Sequence, residues 1–276
     1  MLNNHRLFRT LMSNSISYDI DEDSINAVLE TKVIGLNIVY LHSVESTMDI
    51  ARDLAEDKVP EGTLVIAEEQ TKGRGRFNRV WISPAGENLH MSLILYPEMS
   101  YLSQIGMVCS LAIAKALRSF ITEENKITIK WPNDVRVGAK KIAGILIENN
   151  ITEGIRQVCI AGIGLNINSD TQEFPDISSA STSIAMELGN KVDRLEVIKR
   201  VLMHFEELYF YVQSGGRIND EWASFVDTIG KHIKLVWGEN SYEGYAEGID
   251  DDGSLRLLLA NGDTLSLNAG EVTFQL

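Results

Sequence analysis

The sequence predicts an α+β protein, a mixed sheet with helices followed by a small all-β module. Two observations carry this. Between residues 22 and 226, stretches with apolar residues three or four apart alternate with short apolar or alternating runs. From residue 231 onward the helical spacing vanishes and short strands follow one another, with Asp252-Gly253 and Asn261-Gly262 as hairpin signals. The length of 276 residues allows about one to two domains, and 44% apolar residues suffice for a sizeable core.

Residues 1–20 are polar and weakly patterned and read as a loose arm, with room for a short helix at 7–11. A short helix is predicted over 22–31 with Ile25, Val28 and Leu29 on one face, then a strand over 36–42. In 47–57, Ile50, Ala51, Leu54 and Ala55 recur at helical spacing; Ser46 stands as N-cap, with Asp49 placed for a capping box. Pro60, Glu61 and Gly62 turn the chain into a strand at 63–69. Residues 70–88 show no regular pattern and are rich in Gly and Arg. A strand at 90–96 and a helix at 103–121 follow, the helix presenting Ile105, Val108, Ala112, Ala116 and Leu117. Residues 126–130 alternate like a strand ended by Pro132, and 134–137 with 142–148 suggest a hairpin. A strand is predicted at 156–168, a polar loop at 169–183, and a strongly amphipathic helix at 193–213 ended by Gly215-Gly216. A short helix near 218–226 precedes the β module, which at some 45 residues is too small to be stable alone and should pack on the larger part.

Composition excludes several classes. With 25 Lys and Arg against 39 Asp and Glu, the net charge is −14. That disfavours non-specific binding to DNA or an anionic membrane surface. Two cysteines, Cys109 and Cys159, are too few for a disulfide scaffold or a cysteine-only zinc site. No run of 18 apolar residues occurs, and the N-terminus lacks the apolar core of a signal peptide. The expectation is a cytoplasmic, reduced protein.

Chemistry concentrates in four places. QTKGRGRFNRVW (70–81) holds Lys72, Arg74, Arg76 and Arg79 with no acidic residue, a local reversal of sign. Gly73 and Gly75 let the backbone turn and offer N–H groups to an anion, and Arg supplies a planar fork for carboxylate or phosphate. A solvated basic loop has the same composition, and an RNA-binding Arg-Gly segment is disfavoured by its single occurrence and the net charge. KWPND (130–134) puts Asn133 and Asp134 at a strand end, where they serve either as turn formers or as ligands. Lys141 enters an apolar strand, pointing to a pocket or snorkelling at an edge. GIGLN (162–166) is a glycine turn after a strand but is not GxGxxG, and no P-loop occurs.

Their combination and order are more specific than any one of them. GRGRFNRVWISPAGENLHMSL, KWPNDVRVGAKKIAGILIE and GIGLNIN, taken with the β module, resemble the three motifs and the C-terminal module of the biotin–protein ligases (biotin–acetyl-CoA-carboxylase ligases), over most of the chain from about residue 33. The resemblance implies a catalytic domain similar to the class II aminoacyl-tRNA synthetase core and an SH3-like β-barrel. The implied division is an arm at 1–22, a biotin- and ATP-binding catalytic domain at 23–228 and the barrel at 229–276. It also implies that biotin and ATP, with Mg²⁺ on the phosphates, give biotinyl-5′-AMP, and that biotin then passes to a lysine of a biotin carboxyl carrier protein or domain of acetyl-CoA carboxylase.

By the same resemblance Lys141, Arg74 and Arg76 are the catalytic cations, offsetting repulsion between carboxylate and phosphate. Ser46, Thr47, Gln70, Gly73, Arg74 and Lys141 would bind biotin. Arg76, Trp81, Asn133, Asp134, Gly162 and Asn166 would bind ATP or the adenylate, and no all-protein metal site is expected. The loops at 70–79 and 169–183 would act as lids. Three positions depart from the family pattern. Met48 stands where many members have Asn, Asn78 replaces a glycine but tolerates left-handed backbone, and Gln275 falls near an Arg that some members direct at ATP. Only 45 residues precede Ser46, too few once a helix and strand are allowed for to hold a DNA-binding module, so a ligase without operator binding is expected. The alternatives are a lipoate– or octanoate–protein ligase, or a non-catalytic biotin sensor. Monomer and homodimer both remain open.

Overall fold

The computed structural model describes residues 20–82, 84–122, 127–150 and 157–275; most of the predicted N-terminal arm, with its short helix, lies outside them. Helix α1 (Glu22–Val28) starts at Asp21, which caps it reciprocally with Ser24. Strand β1 (Ile38–Val44), helix α2 (Thr47–Glu56) and strand β2 (Thr63–Gln70) form a crossover whose strands pair in parallel. Strands β3 (Leu89–Leu95), β4 (Ile127–Lys130), β5 (Asp134–Val137), β6 (Lys140–Asn150) and β7 (Val158–Leu165) add only antiparallel pairs. The resulting seven-stranded mixed sheet has the order β1-β2-β3-β7-β6-β5-β4.

The sheet is covered on both faces, so its central strands read as near-continuous apolar runs. One face holds α3 (Ile105–Leu117) and α5 (Arg194–Gln213). The other holds α2, whose Met48, Ala51 and Ala55 pack with Val65, Ile94 and Ile160. The stretch Met99–Leu117 is apolar and long enough to cross a bilayer by length and composition, yet most residues of α3 are buried inside the fold. Helix α3 was expected at 103–121; the chain enters it through a 3-10 turn, Met99–Gln104.

Helix α4 (Ile184–Leu188) is absent from the sequence expectation. Ser183 caps it by accepting from the Met186 N–H, and Gly189, at φ 75, stops it. Five residues are too few for a periodic signal, so the caps were its only trace. Helix α6 (Asn219–Phe225) leads to β8 (His232–Trp237), β9 (Asn240–Ile249), β10 (Leu255–Leu259), β11 (Thr264–Leu267) and β12 (Glu271–Phe274). These form a five-stranded antiparallel sheet of order β11-β10-β9-β8-β12. Gly253 and Gly262, the predicted hairpin residues, take φ 86 and φ 90. The module packs on the larger part, as its small size requires. Ile233, Leu235, Leu255 and Leu257 join the main apolar cluster, and the Trp131 indole donates to the Gly253 carbonyl at 2.9 Å.

One charged pair is sealed in that core. Arg194, the first residue of α5, donates to both carboxylate oxygens of Glu68 on β2 at 2.8 and 3.0 Å and to the Asn88 carbonyl at 3.1 Å. Their side chains are 1% and 0% exposed, and Tyr40 adds a donor to Glu68 at 3.0 Å. Such a pair is held by its geometry, and removing one partner strands the other charge. Glu68→Ala should therefore destabilise the fold by about 3–5 kcal/mol, seen as a lower urea midpoint at unchanged slope. The double replacement Glu68→Leu with Arg194→Met should lose much less.

Candidate functional site

The site begins with missing side chains. Gly164 on β7 pairs with Gly144 on β6 and with His90 on β3, and Gly162 pairs with Leu146 and Ser92. A Cβ on Gly164 would lie 2.4 Å from the Trp81 ring, one on Gly162 2.5 Å from Met48 Sδ, and one on Gly144 2.8 Å from Lys141 Nζ. Three neighbouring glycines thus make a floor on which Trp81, Met48 and Lys141 lie close to the backbone. Above it is a cavity of ≈ 380 Å³, a size suited to a small organic ligand.

Ser46 and Thr47 reach this cavity because α2 starts at the end of β1. Ser46 has the extended backbone of an N-cap but makes no side-chain cap. Its hydroxyl is buried and without a hydrogen-bond partner among the described residues. The predicted capping box does not form. Asp49 instead turns outward to Arg74 and Arg52, and two guanidinium groups outcompete a single amide for the carboxylate. Gln70 Oε1 accepts from the Thr47 N–H at 2.9 Å and from its hydroxyl at 3.1 Å. The Thr47 hydroxyl also meets Ser92 Oγ at 2.8 Å.

The loop 70–81 forms one wall. Gly75 N–H bonds to the Arg79 carbonyl at 2.7 Å, closing a tight turn. The left-handed residue in this turn is Phe77, at φ 55, and not Asn78. Phe77 pays for this in local strain of about 1–3 kcal/mol, while the Arg76 guanidinium lies 4.9 Å over its ring. Arg76 donates to Asn133 Oδ1 at 2.8 Å and to the Gly270 carbonyl at 2.9 Å; burial holds it below the usual guanidinium range. Arg79 pairs with Glu271. Gly73 does not line the cavity; it is buried, and its carbonyl accepts from the Trp81 N–H at 2.9 Å.

The opposite wall comes from the β4–β5 corner and the loop 169–183. Asn133 Nδ2 donates to the Ile145 carbonyl at 2.7 Å, which fixes its oxygen toward Arg76. Asp134 pairs with Lys141 at 2.7 Å. The backbone of Lys141 bonds to Ala180 and Thr182, tying the 169–183 loop along β6, and Asp176, Ile177 and Ser181 line the cavity. Asn166 lies at the cavity edge with its amide donating to the Thr182 carbonyl at 3.0 Å.

Of the residues assigned to catalysis or to biotin and nucleotide binding, all except Gly73 therefore meet around one cavity. Sequence reasoning missed two contributors. Lys130, the first residue of KWPND, lines the cavity and makes no ion pair among the described residues; burial lowers its pKa, and Phe274 lies 5.6 Å away. Gly270, Glu271 and Val272 bring the C-terminal module to the cavity, whereas Gln275 lies outside its lining. The start of β12 is thus what reaches the site, and no local pattern in a four-residue strand signals that.

His90 sits beneath Trp81. Its Nδ1 accepts from the indole N–H at 3.2 Å, and its Nε2 is buried without a hydrogen-bond partner among the described residues. Burial, and secondarily Arg194, push its pKa down to about 3. Because the folded value lies below the unfolded one, stability is lost as pH falls from about 6.5 toward 3. The chain should be less stable at pH 5 by about 2 kcal/mol from this group, and His90→Phe should flatten that part of the pH–stability curve. Gly164→Ala should displace Trp81 and weaken ligand binding at least tenfold, measured by calorimetry, with the thermal midpoint little changed.

Known proteins share this architecture. The Biotin/lipoate A/B protein ligase family matches residues 40–167, and the Biotin protein ligase C terminal domain matches residues 228–274. The bifunctional ligase/repressor BirA of Bacillus spizizenii is 36% identical over 248 residues, spanning 88% of this chain and 76% of that protein. A biotin–acetyl-CoA-carboxylase ligase of Paracoccus denitrificans is 33% identical over 70% of this chain and 82% of its own. Among solved structures, the biotin protein ligase from Aquifex aeolicus in complex with biotin and ATP superposes with a TM-score of 0.74 at 31% identity, covering 87% of this chain and 99% of that one. With both parts of the chain matched by family models, a relative 36% identical over most of its length and a solved ligase of the same fold, this chain belongs to the biotin protein ligase family.

Proposed function

We propose that the chain activates biotin with ATP and transfers it to a lysine of the biotin carrier domain of acetyl-CoA carboxylase. The observation that carries this is the convergence of Arg76, Lys130 and Lys141 on one cavity, in a chain whose net charge is −14. A carboxylate oxygen of biotin attacks the α-phosphorus of ATP, and the bond to pyrophosphate breaks. Both reactants are anions, so pre-placed cations stabilise the charge that builds up between them. Arg76 is held on Asn133 and Gly270, and Lys141 on Asp134, so both are oriented before substrate arrives. The Ser46 hydroxyl, without a cap or partner among the described residues, is available to the ureido group of biotin, and Thr47 with Gln70 forms the polar ledge beside it. Trp81 offers a flat face to the nucleotide.

In the second half-reaction the acceptor lysine attacks the acyl carbonyl, AMP leaves, and the amine loses its proton. Asp134 and Asp176 are the carboxylates that line the cavity, and Asp134 is held by Lys141. Among the described residues no group of three or more His, Cys, Asp or Glu is placed to hold a metal. Mg²⁺ would arrive with the phosphates of ATP and add to their neutralisation. The acidic net charge further supports a ligase that does not bind operator DNA.

Mass spectrometry of the purified protein with ATP, Mg²⁺ and biotin, with lipoate and octanoate in parallel, tests the reading. Biotinyl-AMP is expected from biotin alone; an adenylate from lipoate or octanoate alone would transfer the assignment to those acids. Lys141→Ala should reduce adenylate formation by at least 100-fold while circular dichroism shows the wild-type fold.

A further inference from the structure

Arg74 was expected to face substrate, yet its guanidinium is already matched by the chain's own carboxylates. It donates to Asp49 through both Nη atoms, at 2.8 and 2.7 Å, and reaches Glu148 at 3.3 Å. Arg52, one turn along α2 from Asp49, bridges the same two carboxylates at 2.9 and 2.5 Å. The four side chains close a ring that joins the 70–81 loop to α2 and β6. Two positive and two negative charges balance within it, so Arg74 contributes little free charge to the cavity. The Arg74 side chain is 27% exposed and Asp49 41%, so the ring stands at the cavity rim. The hydrogen bond from Arg74, more than that from Arg52, holds the Asp49 carboxyl below its usual range.

The rest of the loop is fastened on the other side of the cavity, by Arg76 on Asn133 and Gly270 and by Arg79 on Glu271. On the side where Ser46 and Thr47 lie, Gln70 on Thr47 and Lys72 on Glu45 hold the start of the loop, and Asp49 with Glu148 holds Arg74, the side chain nearest its turn. We propose that Asp49 is a positioning residue: through Arg74 it holds the 70–81 loop down over the Ser46 side of the cavity, and so keeps the acyl-adenylate in place until an acceptor lysine arrives. This rests on the ligase reading above. It also explains why Asp49 leaves the helix end it was expected to cap. A bidentate guanidinium–carboxylate pair ties a loop to a helix in one orientation, whereas a capping bond acts only within the helix.

Asp49→Asn keeps the side-chain shape and removes the charge. With biotin, ATP and Mg²⁺, the full chain carrying this change should release biotinyl-AMP about tenfold faster, read as labelling of lysines on an added bystander protein. Adenylate formation should slow far less than release quickens. Asp49→Glu should recover part of the retention. Combining Asp49→Asn with Arg74→Gln should leak no faster than Arg74→Gln alone. Release at the wild-type rate, or effects that multiply in the double variant, would overturn the proposal.

A second readout is independent of the ligase reading. Limited trypsin digestion without ligand should cut Asp49→Asn after Lys72, Arg76 or Arg79 several times faster than wild type at an unchanged thermal midpoint, whereas equal cutting rates would refute the tether. A wild-type chain that makes no adenylate from any of the three acids would count against the ligase reading alone, and the digestion would still decide whether Asp49 holds the loop.

Discussion

The cavity depends on the absence of side chains at Gly144, Gly162 and Gly164. Strands β6 and β7 lie inside the sheet, covered on both faces, and any Cβ at these three positions would meet Lys141, Met48 or Trp81 at under 3 Å. The ligand space and the resting places of those three side chains are made by the same omission. Glycine weakens a strand interior, having no side chain to pack and more backbone entropy to lose. The sheet tolerates it because β6 and β7 pair along eight register positions and β3 flanks them.

Charge is managed locally. In a chain at −14, the cations around the cavity are held by nearby acceptors and so are oriented without being repelled or freely solvated. Lys141 has Asp134, Arg79 has Glu271, Arg74 has Asp49 and Glu148, and Arg76 donates to the neutral oxygens of Asn133 and Gly270. The differences matter chemically. A cation on neutral acceptors keeps its full charge for an incoming anion, one on a single carboxylate, as Lys141 is, keeps donors free to reach it, and one shared between two carboxylates, as Arg74 is, is mostly neutralised and acts as a fastener. By that measure Arg76 and Lys130 bring the most uncompensated charge to the cavity, and Arg74 the least. The buried Arg194–Glu68 pair is the structural extreme, a matched couple sealed at the junction of α5 and β2 with no path to a ligand.

The larger part and the C-terminal module share this work. The module is too small for a self-sufficient core, and its Ile233, Leu235, Leu255 and Leu257 continue the main apolar cluster. The same docking brings Gly270 and Glu271 against Arg76 and Arg79. Stability of the module and closure of the 70–81 loop therefore rest on one interface.

By itself the sequence determined the alternation of helices and strands, the change to an all-β tail, and the motifs from which the family could be read. These are local: periods of two and near four, turn dipeptides and short fixed spacings express backbone geometry within a few residues. It also brought forward the cavity residues that sit within the motifs, but not the lining from Gly270, Glu271 and Val272. Tertiary structure alone decided how polar groups are partnered. Whether Asp49 caps its helix or holds Arg74, and whether the C-terminal module meets the loop through Gly270 or Gln275, are settled by partners 25 and 194 residues apart in the chain. Local pattern carries no term for a competitor that only folding brings within 3 Å.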